Sequence, residues 1–227
     1  MSSSYFLLTI LCVIALIVLM INIGIVQKKQ NIGLRWVCTF LFAFSMMRYL
    51  ALIVYGDHPT LAQLETFRYF YLATSIGLTM TMASAVWCIT PFIREKFNYF
   101  TYLAFFTPWI LFYLYVIITQ PTKIVPAAFG YTLELTGKFP IYLSIAQGSF
   151  VTIMIILCLV GFFRYKNEYL RSSYALIIAS CILLTLDGLG YFIPFLNIIP
   201  PFTATEIFGF MAIAYAFYIK PIKKGLN

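Results

Sequence analysis

Charge is the scarcest commodity in this chain: of its 227 residues only 10% are Asp, Glu, Lys or Arg, against about 25% in a soluble domain. A soluble fold is excluded on that ground. Acidic residues number 7 and histidine 1, so no His and carboxylate cluster for a metal can be assembled from the sequence pattern. His58 sits in a Gly56-Asp57-His58-Pro59 turn and reads as a solvated loop residue. The cysteines Cys12, Cys38, Cys88, Cys158 and Cys181 all lie inside apolar runs, where a thiol behaves as a small apolar group rather than a ligand or disulfide partner. No G-x-S-x-G nucleophile motif occurs, and a single intramembrane aspartate supplies no acid-base pair, so no catalytic residue is assigned and no enzyme is expected. The last apolar run contains no lysine, which excludes a retinal Schiff base, and no cofactor is expected. The first run has no basic segment ahead of it and is too long for a signal-peptide core, so it reads as a retained helix.

What the chain has in abundance is apolar surface, 63% of its residues, with aromatic rings at 19% gathered near the ends of the apolar runs, as suits the headgroup layer. About 20 apolar residues cross a bilayer core. Seven segments qualify: Tyr5 to Val26, Trp36 to Tyr55, Tyr69 to Ile93, Tyr99 to Thr119, Pro140 to Phe163, Ser172 to Phe195 and Phe202 to Ile219. The expectation is an all-α integral membrane protein of the cell membrane. A seven-helix transmembrane domain spans residues 1–220 and a short basic cytoplasmic tail 221–227. The long loop Gln120 to Phe139 is the exception among short connections. Lys and Arg are retained on the cytoplasmic side. With the N-terminus outside and the C-terminus inside, the inner side takes Lys28, Lys29, Arg35, Arg94, Lys96, Arg164, Lys166, Arg171, Lys220, Lys223 and Lys224, and the outer side only Arg48, Arg68, Lys123 and Lys138. These cations form no basic face, which speaks against a nucleic-acid partner; the lipid bilayer is the expected partner.

Small residues Thr74, Gly77, Thr81, Ser84 and Cys88 follow a 3-4-3-4 spacing and predict a close helix contact along the third segment. Ser173, Ser180 and Asp187 share a face of the sixth, and Pro108 predicts a kink in the fourth. Ionisable groups inside a membrane are costly and so are functional candidates. Arg48 and Asp187 fall at matched depth, roughly 10 to 12 Å below the outer boundary at 1.5 Å per residue, and are expected to pair between the second and sixth helices. Arg68 and Glu206 are expected at the rim of the same outward-facing pocket, with Gln147, Tyr142 and Tyr191 as neutral polar partners. The alternative is a purely structural pair that fixes helix register.

From about Phe67 onward the chain resembles the seven-helix N-terminal sensor region of bacterial membrane histidine kinases. The likeness is carried by Phe67-Arg68-Tyr69, by Pro91 before a charged turn, and by Gly130-Tyr131 with Gly137-Lys138-Phe139-Pro140 running into Tyr142. It continues in the basic turn Arg164 to Arg171, in Ile199-Pro200-Pro201-Phe202-Thr203 and in Ala212 to Phe217. The resemblance implies a bundle that detects an extracellular or membrane signal and passes it inward through the seventh helix to a cytoplasmic kinase or other signalling partner; a homo-oligomer is a further candidate partner. After Ile219 only eight residues remain, with no kinase domain, so the expectation is a truncated sensor or a stand-alone bundle. The alternatives are a small transporter or transporter subunit, or an accessory membrane subunit.

Overall fold

A computed structural model describes residues 3–56, 58–127, 130–190 and 203–219. Ten helices and one hairpin are found there: α1 Ser3–Val26, α2 Ile32–Tyr55, α3 Leu61–Phe67, α4 Ala73–Ile89, α5 Pro91–Lys96, α6 Tyr99–Ala104, α7 Thr107–Thr119, β1 Thr122–Ala127, β2 Gly130–Leu135, α8 Phe139–Arg164, α9 Glu168–Gly190 and α10 Thr203–Tyr218. Four of these (α1, α2, α8 and α9) are long and apolar enough to cross a membrane, and α4 and α7 are shorter apolar helices. The make-up is compatible with a helical membrane protein.

Local chemistry explains where the segments break. The third expected span, Tyr69 to Ile93, is not one helix. Residues 68–72 form turns after α3, α4 begins at Ala73, and Pro91, which has no N–H to donate, opens α5. Pro108 likewise does not kink the interior of a long helix: it stands in the first turn of α7, after a break at Phe105 and Phe106, where a missing N–H costs nothing. The helix α3 was not anticipated. It is held by a reciprocal cap in which Thr60 Oγ1 accepts from the Gln63 N–H while Gln63 Oε1 accepts from the Thr60 N–H. The long Gln120 to Phe139 loop contains an antiparallel hairpin, with Thr122 opposite Leu135 and Lys123 opposite Glu134. The expected tail 221–227, the sixth span's end beyond Gly190 and the Ile199 to Phe202 entry to the last segment lie outside the described residues.

α4 is the centre of the bundle. It packs against α2 and α10 and also meets α6, α7, α8 and α9, and almost every residue from Ala73 to Ile89 is buried, as befits a helix that is apolar or small all round. Its small face does what the spacing predicts. A Cβ placed on Gly77 would come within 1.8 Å of Ser45 Oγ and 3.1 Å of the Leu41 carbonyl oxygen, so α2 and α4 touch nearly backbone to backbone there. α1 joins this core by a single stripe. Tyr5, Leu8, Cys12, Ala15, Leu19, Asn22 and Val26 are buried at alternating three- and four-residue steps, while Phe6, Ile10, Ile17 and Ile21 are exposed on the other side. Gly161 of α8 admits the Tyr174 ring of α9 in the same way, since a Cβ would lie 2.4 Å from that ring.

Side-chain contacts fix the direction of each element. Tyr5 donates to the Ile53 carbonyl and Lys29 to the Ile219 carbonyl. Trp109 donates to the Ala146 carbonyl at 2.9 Å, the Tyr115 ring lies against Phe139, and Tyr174 and Thr90 hydroxyls are 2.9 Å apart. Successive long segments therefore run in alternating directions. One end of the bundle gathers Arg48, Thr74 and the first turn of α10; the other gathers α5 and the α8–α9 junction.

Candidate functional site

The end of α2 and the beginnings of α4 and α10 converge on a buried charged network. Arg48 donates from its Nη1 to Glu206 Oε1 at 2.6 Å and to the Thr74 hydroxyl. Thr74 in turn donates to the same Glu206 oxygen at 2.7 Å, and the Tyr49 hydroxyl donates to Glu206 Oε2 at 2.7 Å. The Glu206 carboxylate thus takes three hydrogen bonds from two helices. The side chains of Arg48 and Glu206 are only 9% and 4% exposed, so the pair is desolvated, and each charge is tolerable only because the other is present. Glu206 lies in the first turn of α10, where the helix dipole favours an anion.

The expected Arg48–Asp187 pair is not formed. α10 lies against both α1 and α4, the neighbours of α2, while Asp187 is on α9, which packs against α8 and α10. Glu206 therefore meets Arg48 first. Asp187 accepts a hydrogen bond from the Thr205 hydroxyl, one residue before Glu206, so both carboxylates secure the first turn of α10. Glu206 is not at a rim but 3% exposed. Arg68 closes α3, with its Nε buried and without a protein partner, and no described contact links it to the network. Tyr142 is exposed and its ring packs on Phe139; Tyr191 lies outside the described residues.

Beside the network is a cavity of about 120 Å³ between α4, α7, α8, α9 and α10. Gln147 and Ser144 of α8, Ser75 and Thr79 of α4, Thr185 of α9 and Glu206 supply its principal polar groups, and the rest of its wall includes Leu78, Phe150, Val151 and Leu184. Among the described residues Glu206 is the one charged member of this lining. It touches the cavity on one side and the Arg48 charge on the other. The site thus offers a neutral, largely apolar chamber with a few hydrogen-bonding groups, the general form of a small-molecule pocket. Among the described residues no group of three His, Cys, Asp or Glu could hold a metal, and the five cysteines are buried and unbridged.

Tyr49 and Thr74 were not foreseen as network members. Thr74 stood out only as part of a small-residue face, and Tyr49 only by being next to Arg48. Asn22 was also missed: its side-chain amide, fully buried on α1, donates to the Phe210 carbonyl of α10 at 2.9 Å. It is the single polar position of the α1 stripe outside the hydroxyl of Tyr5, and that is the signal that could have found it. No family model, curated protein or solved structure matches this chain, so the chemistry of the site rests on its own residues.

Proposed function

We propose that this chain is a seven-span membrane sensor module, with its N-terminus outside, whose last helix α10 carries the response to a small molecule held in the cavity. The observation that supports this most is the double role of Glu206. It lines the cavity, and it is also the residue through which α10 is tied to α2 and α4. A ligand that presses on Glu206 changes the same contacts that position α10. The alternating segment directions and the gathering of cations at the opposite end suit an odd number of crossings with that end in the cytoplasm. The output then leaves at the C-terminal end of α10, toward a signalling partner as in the sensor regions that the sequence resembles.

The ligand this cavity suits is small and uncharged, because the one charge in its lining among the described residues is already matched by Arg48. A comparable cavity of about 150 Å³ in another protein accepts benzene. The test is thermal stabilisation of the purified chain by phenol, indole and short-chain alcohols and amides, alongside Gly148→Leu. An added Cβ at Gly148 meets nothing within 4 Å, so this variant fills the cavity without a backbone clash. A compound that stabilises the parent and not Gly148→Leu, and that changes the distance between spin labels at positions 27 and 218, supports the sensor reading. Concentrative uptake of such a compound into vesicles with no change in that distance favours a small transporter instead. Equal stabilisation of parent and filled variant removes the cavity as the ligand site.

A further inference from the structure

The opposite end of the bundle carries a second arrangement, whose charges the sensor reading uses only for orientation. Phe92, the second residue of α5, has the Lys96 Nζ 4.5 Å from its ring centroid and the Arg164 guanidinium 4.6 Å from it. Two cations from separate helices thus share one ring and lie no further than about 9 Å apart. Such a cluster is self-repelling at a low-dielectric boundary unless an anion joins it. The surrounding segments sharpen the imbalance: α5 and the α8–α9 junction hold Arg94, Lys96, Arg164, Lys166 and Arg171 against Glu95 and Glu168. Among the described residues the ion pairs are Arg48–Glu206 and Lys123–Glu134, and none includes these five cations. The Nε of Arg94 is buried with no hydrogen-bond partner.

The cradle is built rather than incidental. The Phe92 N–H donates to the Tyr165 hydroxyl at 3.1 Å, Tyr165 stacks on Tyr174, and Tyr174 is hydrogen-bonded to Thr90 and to the Ile89 carbonyl. The ring that receives both cations is therefore fixed at the joint between α4 and α5. Phe163 and Phe97, each next to one of the cations in sequence, are 78% and 37% exposed. Apolar rings turned outward beside the charges suit acyl chains rather than a water-borne ion.

We propose that Lys96 and Arg164, gathered on Phe92, bind the phosphate of an anionic phospholipid headgroup at the cytoplasmic end of the bundle. The proposal is independent of the cavity and its ligand; only the cytoplasmic placement rests on the orientation proposed above. It is tested by the thermal unfolding of the full chain in detergent during titration with phosphatidylglycerol, phosphatidylcholine, inorganic phosphate or glycerol phosphate. Phosphatidylglycerol is expected to stabilise the protein saturably, and the other three are not. Lys96→Gln with Arg164→Gln should raise the half-saturating phosphatidylglycerol concentration by roughly thirtyfold, since each basic group near an anionic surface contributes about fivefold. Each single variant, on an exposed side chain, should raise it about fivefold, so the decision survives if the double variant does not fold. Lys96→Arg with Arg164→Lys should retain the response, and Lys123→Gln with Lys138→Gln, which removes two charges elsewhere, should leave it unchanged. Equal stabilisation by phosphatidylcholine, or an unchanged titration in the Lys96 and Arg164 variants, overturns the site. Equal stabilisation by inorganic phosphate overturns the assignment to a lipid.

Discussion

The molecule forms its described ion pairs in two contrasting places. Arg48 and Glu206 meet at 2.6 Å with side chains 9% and 4% exposed, inside the junction of α2, α4 and α10. Lys123 and Glu134 meet at 3.3 Å across the β1–β2 hairpin with side chains 60% and 40% exposed. The formal chemistry is the same, but the surroundings invert its consequences. Water and salt screen the hairpin pair, and either member can be hydrated if the other is lost. In the helix junction both side chains are nearly closed off from solvent, so there the pair is obligatory without being a large net source of stability. Position in the fold, more than the presence of two opposite charges, decides what each pair does.

The largest effect that sharpens this comparison comes from Glu206→Gln, which leaves Arg48 charged and buried. It should destabilise the protein by about 3 to 5 kcal/mol, read from thermal or denaturant unfolding in detergent. Adding Arg48→Met should recover most of the loss, because a glutamine at position 206 still accepts from one of the Tyr49 and Thr74 hydroxyls through its amide oxygen and donates to the other through its NH2. The same cycle run between Arg48 and Asp187 should give a coupling energy within about 0.5 kcal/mol. A strong Arg48–Asp187 coupling and a weak Arg48–Glu206 one would reverse the pairing described above.

A smaller loss is expected where the same junction depends on shape alone. Gly77→Ala puts a methyl against Ser45 Oγ and the Leu41 carbonyl, and overpacking of this kind costs about 1 to 3 kcal/mol. Ser45→Ala in the same chain removes the closest atom, whose one described bond goes to the Leu41 carbonyl of its own helix, and should restore part of the loss. Gly77→Ala with no effect would mean that α2 and α4 can separate freely, and that Arg48 and Thr74 are not held in register by packing.

Much of this is legible in the sequence. The apolar runs located the long helices because length and hydropathy alone decide whether a segment can span a bilayer. The Thr74 to Cys88 spacing marked the buried face of α4 because small residues recurring at three and four positions share one side of a helix. Cost and depth single out Arg48 and Asp187, and the same outer layer adds Glu206 at its rim and Gln147 as a neutral partner; these four lie at or next to the network and cavity, whereas Arg68 and Tyr142 do not. Which carboxylate Arg48 would choose was not legible. Counting residues along a helix gives depth, but not which helices are neighbours, and α10 rather than α9 lies on the α2 side. The breaks after Ile89 and Ala104 were hidden for a different reason: Pro91 and Pro108 signal either a kink within a helix or the start of another, and local sequence does not choose between them. The hairpin was missed because Pro121, Pro126, Gly130 and Gly137 within the long loop obscure the alternation that marks strands.

An intermediate case lies at the basic end, where the charges rest on aromatic faces rather than on carboxylates. Phe92→Leu keeps an apolar side chain but removes the ring under Lys96 and Arg164. In lipid-free detergent it should cost about 1 kcal/mol, from two partly exposed cation–ring contacts at about 0.5 kcal/mol each. A loss as large as that of Glu206→Gln would place these cations in a buried environment, contrary to the exposure of both.

The smallest effect belongs to the hairpin pair, and its smallness is the point of the test. Lys123→Gln removes one member of the ion pair at a position where both side chains reach water. Exposed pairs of this kind contribute about 0.2 to 1 kcal/mol, and the register here is also held by main-chain pairing from Thr122–Leu135 to Ala127–Gly130 and by the Thr136 N–H and hydroxyl bonds to the Pro121 carbonyl. Lys123→Gln should therefore shift stability by under about 0.5 kcal/mol, and the shift should vanish at about 1 M salt, where screening acts over about 3 Å. The Glu206→Gln loss should persist at that salt concentration, since counter-ions do not enter the junction. Unfolding curves of the parent and both variants at low and high salt decide the matter. If both losses respond to salt alike, the Arg48–Glu206 pair is as hydrated as the hairpin pair, and the desolvated junction on which α10 depends is not there.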